Sequence, residues 1–68
     1  MSKWKYYRRG GCSKWTLGDS WVTKWDDESC CHVGLNCGRV TLYDTSPKTA
    51  RTVVEIVIRA QLPRSEAA

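Results

Sequence analysis

The sequence predicts a mainly β, or small α+β, single domain of about five short antiparallel strands. They form a meander followed by a C-terminal hairpin, with one short helical turn near residues 27–33. Three observations carry this expectation. Polar and apolar residues alternate with period two in several short runs. One glycine pair, Gly10-Gly11, and Gly18-Asp19 punctuate the runs at hairpin spacing. The segment after residue 39 is dense in β-branched side chains, which favour strands. At 68 residues the chain holds one domain, expected over residues 1–63 with a flexible tail at 64–68, since "RSEAA" has nothing to bury.

The first run, Lys3-Trp-Lys-Tyr-Tyr-Arg-Arg9, places Trp4, Tyr6 and Arg8 on one face of a strand and Lys5, Tyr7 and Arg9 on the other. Gly10-Gly11 follows, and two-residue primed turns need positive φ, which glycine adopts freely. The return strand is Cys12 to Leu17. Gly18-Asp19 marks a second turn, after which Trp21, Thr23 and Trp25 alternate with Val22 and Lys24. A strand is favoured here, although Trp21 and Trp25 also have helical spacing.

Asp26, Asp27 and Glu28 stand where a helix start wants acids, and Gly34 where a helix would end, so a short helix or turn is expected over 27–33. From Arg39, "RVTLYD" puts Val40 and Leu42 on one face. "ARTVVEIVIRA", residues 50–60, is expected as its partner strand, with Val54, Ile56, Ile58 and Ala60 together. Thr45-Ser-Pro-Lys48 is the intervening turn.

A chain this short buries only about 60% of the surface it exposes when unfolded. Four Trp and three Tyr, with no Phe, are the available supplement to its core. The N-terminus lacks the apolar run of a secretory signal, and no segment is long enough to span a membrane. A cytoplasmic setting is the expectation, with the four cysteines as thiols or metal ligands rather than cystines.

The cysteine-rich stretch "ESCCHVGLNC" holds the only histidine. Zinc could be held by Cys12, Cys30 (or Cys31), His32 and Cys37, yet no C-x-x-C knuckle is present, and Cys30 and Cys31 must diverge on any regular backbone. A Cys–His nucleophile needs the imidazole within hydrogen-bond reach of the sulfur, which Cys31 and His32 as sequence neighbours do not provide. Glu28 paired with His32 across a helical turn would favour the protonated imidazole over a general base. The expectation is therefore no resident cofactor and no enzyme, with one or two cysteines buried as small hydrophobes and the others partly exposed.

Net charge is +4 and unevenly spread. Residues 1–25 carry six cations against Asp19 alone; Asp26, Asp27 and Glu28 then form an acidic step. The interleaving of rings and cations at Trp4, Lys5, Tyr6, Tyr7, Arg8, Arg9, Lys14 and Trp15 marks the expected binding surface. Single-stranded RNA or DNA is held by such a combination, cations on phosphates and rings under bases. The competing use of the same rings is as core. An alternative of another class is a protein inhibitor of phage or mobile-element type, docking on a host protein through Trp, Tyr and Arg hot spots. Asp26, Asp27 and Glu28 would be its contact for a basic groove. The sequence names neither partner nor oligomeric state.

Overall fold

The computed structural model describes residues 3–36 and 38–61. Its strands are β1 (Lys5–Arg9), β2 (Cys12–Leu17), β3 (Ser20–Trp25), β4 (Cys30–Leu35) and β5 (Gly38–Tyr43), followed by one helix, α1 (Pro47–Gln61). The sheet is a simple antiparallel meander in which each strand pairs with the next in sequence. The expected mainly β class and the five antiparallel strands are both present. Cys37 and the expected tail at 64–68 lie outside the described residues.

The first three strands fall where the alternation puts them. Gly10 and Gly11 have φ of 55° and 77°, as a type I′ turn demands, and Gly18 has φ of 61° at the first central position of the next hairpin. Two elements differ from expectation. Residues 30–35 form a strand instead of a helical turn, because Cys31, Val33 and Leu35 alternate with Cys30, His32 and Gly34. The acids before it cap nothing; Asp26 pairs with Arg8 across the sheet end.

Residues 47–61 form a helix and not the last strand of a hairpin. Pro47 occupies the first helical position and Ser46 the N-cap, its Oγ accepting from the Thr49 amide at 3.2 Å. On this helix Ala50, Val54 and Ile58 share one stripe against the sheet, and Ile56, expected beside Val54, faces outward. Packing of that stripe outweighs the strand preference of Val and Ile, which amounts to only tenths of a kcal/mol per residue.

The core is the layer between α1 and one face of the sheet. Val22, Cys31, Val33, Ala50 and Val54 are buried, with Trp4, Trp15, Leu35, Leu42 and Ile58 packed around them. Trp4 Nε1 donates to Glu55 at 2.6 Å, tying the entry of β1 to the helix. The Arg51 guanidinium lies 4.9 Å from the centre of the Trp15 ring. No described helix is long and apolar enough to cross a membrane.

Candidate nucleic-acid interface

Among the described residues a single helix covers a single face, and the opposite face of the sheet is left open. Its composition follows from register. Lys5, Thr16, Trp21, Gly34 and Arg39 are cross-strand partners in one row. Tyr7, Lys14, Thr23, His32 and Thr41 form the next. Arg9, Cys12 and Trp25 continue the face on one side, and Cys30 with Tyr43 on the other. Partners directly opposite in an antiparallel sheet point the same way, so four cations, four aromatic rings and one imidazole share this surface.

The rings are available. Tyr7 is 55%, Trp25 44% and Tyr43 74% exposed. Trp21 is half-buried because its indole lies over Gly34, the residue opposite it; a Cβ at Gly34 would overlap the ring. Glycine here serves that close approach and not a turn. Lys14 Nζ stands 5.7 Å from the Trp21 ring centre. Two shallow hollows open on this face. One, of about 300 Å³, is bounded by Trp21, Thr23, Trp25, His32, Arg39, Val40 and Thr41. The other, of about 440 Å³, is bounded by Tyr7, Arg9, Cys12, Lys14 and Thr16.

The strands bring only positive charge to this face, and the Glu28 carboxylate reaches its rim beside Cys30 and His32. None of the five strands contains an acidic residue. Among the described residues, Lys5, Arg9, Lys14 and Arg39 enter no ion pair, the close contacts being Arg8–Asp26 and, charged only with a protonated imidazole, His32–Glu28. A mainly positive field over adjoining rings favours anionic partners.

The surface expected from sequence is thus divided between two faces. Lys5, Tyr7, Arg9 and Lys14 lie on the open face. Trp4, Tyr6, Arg8 and Trp15 lie on the helix face, where Tyr6 packs against Trp15 with ring centres 5.1 Å apart. Arg8 donates to Ser13 at 2.7 Å and to Asp26 at 2.5 Å. The hydrogen bond from Arg8, together with its charge, holds the Asp26 carboxyl below its usual range. Trp21, Trp25, Arg39 and Tyr43 belong to the open face and are not in the surface expected from sequence.

The acidic step is largely engaged within the chain. Asp26 is held by Arg8, and Glu28 meets His32 at 3.1 Å, leaving Asp27 without an ion-pair partner among the described residues. The cysteines are likewise separated. Cys31 is buried on the helix face, where burial pushes its thiol pKa up and its Sγ donates to the Thr45 carbonyl at 3.1 Å. Cys12 and Cys30 are partly exposed on the open face, and all three are free thiols. Cys12 stands opposite Trp25, two strands from Cys30, so of the four expected zinc ligands only Cys30 and His32 come together among the described residues.

No protein family, curated protein or solved structure matches this chain.

Proposed function

We propose that the protein is a non-catalytic module that binds single-stranded nucleic acid, RNA or DNA, on the open face of its sheet. The observation that carries this reading is the joint presence there of Lys5, Arg9, Lys14 and Arg39 with Tyr7, Trp21, Trp25 and Tyr43, with no acid on the strands. Cations neutralise phosphates, and a ring at the surface of a sheet offers its π-face to any base that is not already stacked. Bases inside a duplex hide those faces, which favours a single strand. Each base stacked on a ring contributes about 1–3 kcal/mol. Cys12, Cys30 and Cys31, free thiols among the described residues, suit a reducing compartment, and the cytoplasm is the setting we assign.

Fluorescence anisotropy of labelled short oligonucleotides tests the proposal. Association with single strands is expected at low ionic strength, weaker with duplex. If all four open-face cations meet phosphates, affinity falls roughly fiftyfold between about 50 and 200 mM salt. Absence of salt-dependent binding to any single strand would sink the reading. The same rings would then be assigned to a protein target, since Trp, Tyr and Arg also dominate protein hot spots.

A further inference from the structure

We propose that Glu28, Cys30 and His32 form a three-ligand site for a zinc-class divalent cation at the rim of the open face. The site differs from the four-ligand set that the cysteine count suggests, and it does not depend on the nucleic-acid reading. Strand alternation sets Cys30 and His32 two residues apart on the same face of β4, and the turn before it returns the Glu28 carboxylate beside them. Lys24 Nζ donates to the Glu28 carbonyl, which pins that turn.

The ligand atoms already make the required triangle. His32 Nε2 lies 3.1 Å from Glu28 Oε1, and Cys30 Sγ lies 3.8 Å from that oxygen and 3.9 Å from the same nitrogen. A tetrahedral zinc with bonds of ~2.0 Å to nitrogen and oxygen and ~2.3 Å to sulfur sets its ligand atoms about 3.3–3.6 Å apart. Adjustments of a few tenths of an ångström bring the triangle to that size. The second feature of a metal site is on the other side of the ring. His32 Nδ1 meets Thr41 Oγ1 at 3.3 Å, so the imidazole is held with Nε2 aimed at Cys30 and Glu28. The His32 and Glu28 side chains are 38% and 42% exposed, which leaves an entry route and a fourth position for water. On binding, the Cys30 thiol gives up its proton, and thiolate plus carboxylate balance the charge of the ion.

The test uses the full chain and zinc alone, in competition with a chromophoric chelator. One equivalent is expected to bind, and cobalt substituted for it should give thiolate charge-transfer absorption with the intense visible bands of a tetrahedral ion. Cys30→Ser and His32→Gln should abolish stoichiometric binding, Cys12→Ser should retain it, and Thr41→Val should weaken it about tenfold. The cobalt spectrum of the unaltered protein needs no variant to fold. Absence of that spectrum, or one-to-one zinc binding that survives Cys30→Ser or His32→Gln, would overturn the proposal.

Discussion

The two faces of the sheet are built by the same strands from the same residue types, and they differ in what covers them. On the helix face, Trp4 and Trp15 are packed around the core, Arg51 lies on a ring and Arg8 is held by Asp26. On the open face, among the described residues, Trp21 and Trp25 have no helix over them, and Lys5, Arg9, Lys14 and Arg39 enter no ion pair with an acid. A strand Trp in this chain thus lies under the helix or on the uncovered face according to the parity of its position. Register assigns the role, and residue type alone does not.

That contrast can be broken most forcefully from the helix side. Val54 is fully buried, and Val54→Ala removes two methyl groups and leaves a cavity, a loss of roughly 2–3 kcal/mol. For a domain of this size the melting temperature should fall on the order of 10 °C, measured by circular dichroism. Oligonucleotide affinity of the folded fraction should not change. A lost affinity at temperatures where the variant is folded would mean that the helix side takes part in binding.

Gly34→Ala attacks the boundary between the faces. The new methyl group must lift the Trp21 indole off the sheet, at a cost of about 1–3 kcal/mol in stability, and should weaken oligonucleotide binding as well. Trp25→Ala and Tyr7→Ala act on the open face alone. Each should reduce affinity by about 1–3 kcal/mol, some fivefold to a hundredfold, with little movement of the melting temperature because both side chains are largely exposed. Large destabilisation with unchanged affinity would reassign these rings to the core.

The smallest effect concerns the Arg8–Asp26 pair. The folded-state pKa of Asp26 is lowered by Arg8, so its contribution is complete above the ordinary carboxylate value of about 3.9. It is lost as pH falls from there through the lower folded value. Both groups are exposed and solvent-screened, so Asp26→Asn should flatten the acid limb of the stability curve only slightly and leave the neutral-pH melting temperature nearly unchanged.

Much of this was legible in sequence. Gly10-Gly11 and the alternation around it give β1, β2 and β3 directly. The strand at 30–35 is obscured by Asp26, Asp27 and Glu28, whose clustering imitates a helix start. One of them answers instead to an arginine eighteen residues earlier, a tertiary fact. The helix is obscured by its own Val and Ile content. Its signals are Ser46-Pro47 as N-cap and first turn, and the spacing Ala50, Val54, Ile58. The open face suffers from the same error. Tyr7 and Lys14 can be grouped by parity, but Trp21, Trp25, Arg39 and Tyr43 join them only when the helix is known to cover the other side. The trio Glu28, Cys30 and His32 becomes visible once β4 is a strand, because a helix would have set Cys30 and His32 on different faces.

The four tryptophans divide two and two between the faces, and their indole N–H resonances report each face separately. In a titration of ¹⁵N-labelled protein with a short single-stranded oligonucleotide at low salt, the Trp21 and Trp25 signals should shift and return as salt is added. Those of Trp4, bonded to Glu55, and Trp15, beneath Arg51, should hold still. Four unmoved signals, or shifts confined to Trp4 and Trp15, would contradict the assignment of the open face as the binding surface.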